Sequence, residues 1–313
     1  VTGAASRPRS FLFAPGDQGR LLAKVFAAGA DAVVLDLEDS VAASAKRAAR
    51  RAVADALSAR AGLEALSSPP TWVRINGAEG GDWREDVTGV VGPALTGIRL
   101  PKAESPDGVR RLDEAMSRAE EKAGLRPGAV ELVLTVESAV GVSRMADLAI
   151  CCPRVTGFAL GAADLIADLG ANPETAGLAT LYSASRLVVE SVAAGLAPPT
   201  APVFTRLDDD AGLGKSTRWH RNLGFFGRSA IHPRQIPIIH EAFTPTAAEV
   251  ERARRIVDSH RDALAGGSAV STTPIGAEDG TGFVDPAVVR QARTVLALAG
   301  AGIETRTGGD PNG

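Results

Sequence analysis

The sequence predicts an α/β protein, a (β/α)8 TIM barrel with a C-terminal helical lid segment, and three observations carry that expectation. Eight short apolar, β-branched-rich runs recur along the chain, and segments of 3.6-residue periodicity separate most of them. The first run leads into Pro15-Gly16-Asp17 with no GxGxxG fingerprint, and no P-loop occurs anywhere, which disfavours an open doubly wound sheet.

The runs are Phe11 to Ala14, Ala32 to Leu37, Thr71 to Asn76, Gly97 to Lys102, Glu131 to Glu137, Thr156 to Leu160, Ala201 to Thr205 and Arg228 to His232. Helical periodicity marks Leu21 to Ala28, Ala45 to Ala59, Pro106 to Ala123, Val142 to Ile150 and Leu178 to Ala194. Past Ala242 the pattern changes to a charged amphipathic helix (Pro245 to Ala265), a Gly/Ser/Thr-rich loop (Gly266 to Gly282), a helix (Val284 to Ala299) and a frayed tail from Thr305. Residues 1–242 thus read as the barrel and residues 243–313 as helix, lid loop and terminal helix, too small for a separate core.

Composition narrows the function classes. With 45% hydrophobic and 23% charged residues among 313, the chain has the balance of a soluble globular protein. A net charge of −3, from 34 Lys and Arg against 37 Asp and Glu, gives no case for nucleic acid. No apolar run is long enough for a bilayer, and the N-terminal residues lack a signal-like apolar core, so a cytoplasmic enzyme is expected. Adjacent Cys151 and Cys152 read as helix packing. His220, His240 and His260, in polar helical settings, are expected to face solvent.

The charged residues cluster at strand ends. Period-2 alternation groups Val133, Thr135 and Glu137 on one face, and likewise Val34, Asp36 and Glu38; Trp72, Arg74 and Asn76; Ile98, Leu100 and Lys102. In a barrel such residues converge at the C-terminal mouth. Glu137 and Asp164 end neighbouring strands, which suits either a shared Mg²⁺ or two unrelated helix-start carboxylates. Arg74 suits capture of a carboxylate or enolate oxygen, or an ion pair with Asp36 and Glu38. Lys102 carries the same ambiguity, and His232 binds a ligand or packs.

Seven ordered motifs, RSFLFAPG (Arg9 to Gly16), DLEDSV (Asp36 to Val41), VRIN (Val73 to Asn76), LPK (Leu100 to Lys102), VESA (Val136 to Ala139), LGAADL (Leu160 to Leu165) and AIHPRQ (Ala230 to Gln235), resemble the citrate lyase β-subunit-like family. That family includes malyl-CoA and citramalyl-CoA lyases within the HpcH/HpaI aldolase superfamily. The resemblance runs from about Arg7 to Ala299.

It implies a Mg²⁺-dependent carbon–carbon lyase on a barrel, commonly trimeric, acting on an acyl-CoA and a 2-oxo acid, with a lid closing over a neighbouring subunit's site. Residue by residue, Glu137 and Asp164 match the metal ligands and Arg74 the enolate-holding arginine. Phe13 and Lys24 fall at the CoA contacts, Ala163 beside the small acid, and Ile231 with His232 near the thioester arm. Asp285 matches the lid aspartate that handles the methyl proton of acetyl-CoA. Asp36, Glu38 and Asp39 then orient Arg74, Lys102 and metal-bound water. Departures are Gln18 in place of an arginine, Pro198-Pro199-Thr200 before the seventh strand, and a long loop from Ile275 to Thr281. Asp39 favours the CoA-lyase branch over a CoA-independent pyruvate aldolase. A malyl-CoA-type thioesterase and a citrate lyase β subunit active only in a complex remain as rivals.

Overall fold

A computed structural model describes residues 7–61, 68–172, 176–274 and 281–304. The chain divides into two compact units, Pro8–His240 and a second comprising Val1–Arg7 with Glu241–Gly313.

The first unit is organised by a parallel sheet of seven strands: β1 (Ser10–Pro15), β2 (Ala32–Asp36), β3 (Thr71–Arg74), β4 (Gly97–Leu100), β5 (Glu131–Val136), β6 (Val155–Leu160) and β7 (Arg228–Ala230), in the order β6-β5-β4-β3-β2-β1-β7. Val33, Val34 and Leu35 are fully buried, the mark of a parallel strand covered on both faces. Between the strands run α1 (Gly19–Lys24), α2 (Lys46–Ser58), α3 (Asp82–Val90), α4 (Pro106–Lys122), α5 (Ala139–Ser143), α6 (Met145–Ile150), α7 (Ala162–Asp168), α8 (Ala176–Ala179), α9 (Leu181–Ala193) and α10 (Asp210–Leu223), then α11 (Gln235–Phe243) after β7. Side-chain caps start several of them: Ser105 on Gly108 N–H before α4, Ser138 on Gly141 N–H before α5, and Asp209 on Gly212 N–H before α10.

The expected strand from Ala201 to Thr205 is reduced to two bridging residues. Thr200 pairs with Ala159 on β6, and Ala201 with Arg228 on β7, both in parallel, so backbone bonds link the two sheet edges. Pro202 has no N–H to extend the pairing, which ends the stave there.

The register fixes which side chains point inward. Phe13 pairs with Val34, Val34 with Trp72, Asp36 with Arg74, and Arg74 with Arg99. Phe11, Ala32, Val34 and Trp72 form one buried cluster with Phe13 packed on it. On β4 the expected phase is therefore wrong: Arg99 shares the face of Arg74, whereas Ile98 and Leu100 point toward the helices. The Arg99 guanidinium lies 4.3 Å from the Phe11 ring and donates to Ser229 Oγ on β7 at 3.1 Å.

The solvent-facing expectation for three histidines also fails. His220 packs edge-on between Trp219 and Phe225 and bonds Ser216 O, and burial pushes its pKa down to about 4. His240 bonds Ser10 Oγ at 2.8 Å and lies 3.3 Å from Asp31, while His260 is buried in the second unit. Each sits on the inner side of its helix, and for His220 and His240 the ring finds partners there that local composition does not reveal.

In the second unit, α12 (Ala247–Ala265) begins with a capping box between Thr246 and Glu249 and packs on α13 (Pro286–Glu304). Their core is Ala253, Ile256, Val284, Val289 and Ala292. The expected loop contains an antiparallel pair, β8 (Ser271–Pro274) and β9 (Thr281–Val284), because Thr272 and Thr273 favour extended backbone. Residues 275–280 of the long loop and the tail from Thr305 lie outside the described residues.

Candidate active site

The C-terminal ends of β2 to β6 gather one charged cluster. β2 delivers Asp36, and the loop after it carries Glu38 and Asp39. Asp36 Oδ1 accepts from Glu38 N–H at 3.0 Å and Oδ2 from Ser40 N–H at 3.3 Å, which folds the loop back over the strand end. Lys46 Nζ anchors the same loop through the carbonyls of Leu37 and Glu38, each at 2.7 Å.

Across the β2–β3 register, Arg74 grips Asp36 with two bonds, Nε–Oδ1 and Nη2–Oδ2, both 2.6 Å, and its Nη1 lies 3.0 Å from Glu38 Oε2. Burial disfavours both charges, but the fork-to-carboxylate pairing outweighs it, holding Asp36 below its ordinary range and Arg74 above. The ion-pair reading of Arg74 is therefore what the side chains do; it leaves N–H groups on Nη1 and Nη2 for a further acceptor. Phe13 stands by with its ring 5.3 Å from the guanidinium.

Lys102 reaches the cluster by a turn and not by strand alternation. Its backbone lies in the left-handed region, φ +50°, uncommon for a residue with a side chain. That turn aims its N–H at Glu137 Oε1, 2.7 Å away, while Nζ bonds Glu38 Oε1 at 2.7 Å and approaches Asp39 at 3.5 Å. The bond to Glu38 raises the Lys102 pKa.

Glu137 follows β5 and is only 6% exposed. Ser138, not Glu137, caps α5, so the helix-cap reading of this carboxylate does not hold. Lys102 N–H is its one described hydrogen bond. Burial first, then the charges of Asp164 and Glu38, push its pKa up to about 7 against the bond from Lys102 and the charge of Arg74. Asp164 lies in the first turn of α7, exposed, with Ala163 exposed beside it.

These two hard carboxylates fit a divalent cation: one is buried with spare acceptor capacity, and each charge works against the other. Among the described residues no group of three or more His, Cys, Asp or Glu side chains is arranged to hold a metal. A pair of carboxylates suits Mg²⁺, which takes one or two of them and fills its remaining positions with water or substrate, better than zinc, which favours His and Cys.

The other expected residues lie elsewhere. Lys24 ends α1 and is exposed; Ile231 and His232 follow β7, with His232 Nδ1 accepting from Arg234 N–H at 3.2 Å. No described bond joins these three to the cluster. Asp285, in the second unit, caps α13: its Oδ1 accepts from Ala287 and Val288 N–H at 2.8 and 2.9 Å.

Two features escaped the sequence. Asp86, buried on α3, accepts from Arg50 Nε at 2.8 Å and from both the backbone and side-chain nitrogens of Asn76, at 2.9 and 2.6 Å. Asn76 is thereby fixed at the edge of a cavity of about 410 Å³ lined also by Glu38, Asp39 and Lys102. The other is Gly161, packed against Glu137.

Comparison with known proteins gives the family. Residues 9–233 match the family described as HpcH/HpaI aldolase/citrate lyase. The chain belongs to that family, whose curated relatives are named as lyases. Citrate lyase subunit beta of Haemophilus influenzae is 30% identical over 94% of this chain and 98% of its own length. The L-malyl-CoA/beta-methylmalyl-CoA lyase of Cereibacter sphaeroides is 32% identical over 94% of this chain and 95% of its own. Among solved structures, the protein CitE of Mycobacterium tuberculosis, in complex with magnesium, acetoacetate and coenzyme A, superposes with a TM-score of 0.73. It has 30% identity and covers 95% of this chain and 99% of that one.

Proposed function

We propose that this chain is a Mg²⁺-dependent carbon–carbon lyase. It cleaves, or in reverse condenses, a β-hydroxyacyl-CoA such as malyl-CoA or citramalyl-CoA, with an acyl-CoA and a 2-oxo acid as products. The observation that carries the proposal is the pairing of Glu137, buried with one hydrogen bond, with Asp164 beside an arginine held by two carboxylates. Relatives named as malyl-CoA lyase and citrate lyase subunit, and CitE bound to magnesium and coenzyme A, supply the substrate class.

Glu137 and Asp164 hold the cation in this reading. Mg²⁺ bound there would draw electron density from the hydroxyl or keto and carboxylate oxygens of the acid half. As the hydroxyl gives up its proton to solvent and becomes the keto group, the carbon–carbon bond breaks and charge moves to the thioester oxygen, where the spare N–H groups of Arg74 receive it. Asp36 and Glu38 keep the guanidinium from swinging away, and Lys102 and Asp39 balance the charge around it. Phe13 and Lys24 line the approach of CoA, Ala163 the acid, and Ile231 and His232 the thioester arm. Asp285 gives the proton to the new methyl carbon, or removes it in condensation. Its Oδ1 is occupied by the α13 cap, so Oδ2 is the proton-carrying atom.

In this reading residues 1–242 are the barrel and residues 243–313 carry the helix, lid loop and terminal helix. Exposed Leu178, Tyr182, Val189 and Val192 on α8 and α9 support an oligomer, a trimer by family resemblance. No helix among the described residues is long and apolar enough to cross a membrane, and a cytoplasmic location is proposed.

Mass spectrometry of products from purified protein, Mg²⁺ and a panel of acyl-CoA substrates tests the proposal. Glyoxylate with acetyl-CoA from malyl-CoA supports it, and free malate with CoA would replace it with a thioesterase. Pyruvate released from a CoA-free hydroxy-oxo acid would make the chain an aldolase. The citrate lyase relatives favour one second reading, a β subunit, which predicts turnover only with acyl-carrier and transferase partners.

A further inference from the structure

Gly161 closes β6 and opens α7, three residues before Asp164. Its backbone is fixed on both sides: its N–H donates to Val136 O at 3.0 Å, and its carbonyl accepts Leu165 N–H at 3.1 Å. Its dihedrals, φ −96° and ψ 78°, have a negative φ close to the inverse γ-turn that any L-residue adopts. Nothing in the backbone therefore demands glycine. The neighbouring side chain does. A Cβ at 161 would stand 2.2 Å from Glu137 Oε2, 2.4 Å from Glu137 Cβ and 3.1 Å from Glu137 Cδ, and these are its three nearest atoms. Rotating the carboxylate away relieves the first overlap and leaves the second, since Cβ moves only with the backbone.

We propose that Gly161 is a positioning residue for Glu137: the space left by its missing side chain is the seat of the Glu137 carboxylate. The inference rests on the reading of Glu137 and Asp164 as the cation's ligands. Glu137 is gripped on two sides, with Oε1 bonded to the left-handed Lys102 N–H and Oε2 laid over the bare α-carbon of Gly161. One glycine thus sets both the direction of the first carboxylate and, through the start of α7, its spacing from the second.

The experiment uses the full chain as wild type, Gly161→Ala, Glu137→Gly and the double variant. Thermal unfolding in EDTA reads the steric contact, and Mg²⁺ titration calorimetry reads the seat. Gly161→Ala is expected to lower the unfolding temperature in the wild-type background but not in the Glu137→Gly background. It is also expected to weaken Mg²⁺ binding by about tenfold or more. Equal losses of stability in both backgrounds, or a folded Gly161→Ala that binds Mg²⁺ within about twofold of wild type, would overturn the proposal. Should Gly161→Ala fail to fold, a double variant as stable as Glu137→Gly supports it, and a double variant that also fails overturns it. Wild type giving no Mg²⁺ signal sinks the metal reading instead, and the stability cycle still reports on the Gly161 contact.

Discussion

Two buried acidic groups, Glu120 and Glu137, stand on the same α/β frame and are treated in opposite ways. Glu120, fully buried at the end of α4, has both oxygens filled: Oε1 accepts from Val130 N–H and Arg154 Nη1, each at 2.7 Å, and Oε2 from Gly128 N–H at 2.8 Å and Arg154 Nη2 at 3.0 Å. Arg154 spends its remaining donors on Asp113, Ser117 and Val130 O. Burial opposes the charge of Glu120, yet the bonds hold its pKa down. Glu137 has one bond, and its pKa rises to about 7. A satisfied network belongs to the scaffold; a buried carboxylate left short of partners is the contrast on which the proposed cation seat at Glu137 rests.

The comparison is sharpest where the two sites are mutated in parallel. Glu137→Gln and Asp164→Asn are expected to lower Mg²⁺-dependent turnover by about a thousandfold or more while the metal-free fold survives, checked by steady-state kinetics beside circular dichroism. Arg154→Ala should do the reverse, costing about 3–5 kcal/mol in urea unfolding because Glu120 is left buried and unpaired. Turnover per folded molecule should stay close to wild type. A collapse of stability in Glu137→Gln would erase the contrast.

Asp36→Asn is intermediate. It loosens Arg74 without touching the metal's own ligands, and the expected loss is about 10–100-fold in turnover or Mg²⁺ affinity, with the fold retained. Unchanged kinetics would assign the Asp36–Arg74 pair to structure alone.

The smallest effect is on pH-dependent stability in EDTA. Between pH 4.5 and about 7 the folded chain keeps a proton on Glu137 that the unfolded chain has lost. Stability contributed by that proton falls as pH rises across this window, by on the order of 3 kcal/mol at most. Urea midpoints of Glu137→Gln against wild type should converge at pH 4.5 and diverge toward pH 8, with the variant the more stable. Parallel curves would show an ordinary carboxylate at 137.

Much of this frame is legible in the sequence, and the failures have physical reasons. Asp36 and Arg74 can be placed side by side because each is the charged residue that ends an otherwise uncharged strand, on neighbouring staves. Arg99 is missed because counting back by twos from Lys102 assigns Ile98 and Leu100 to the inner face, although burial of β4 on both faces lets Arg99 point inward instead. Lys102 arrives through a left-handed turn that no alternation rule contains. His220 and His240 look solvent-facing because their partners are set by how the chain folds, Phe225 turning back past the end of α10 and Ser10 coming from β1. Gly161 is visible in Leu160-Gly161-Ala162-Ala163-Asp164, but only the contact with Glu137 shows what its missing side chain is for.

Calorimetric titration of Mg²⁺ into wild type and Glu137→Gln at pH 7, in buffers of different ionisation enthalpy, tests the central claim most directly. Wild type should bind the cation and release protons as Glu137 ionises, and the variant should lose both the affinity and the proton release. Equal Mg²⁺ affinity in the two proteins, with no proton released by wild type, would contradict a cation seated on Glu137.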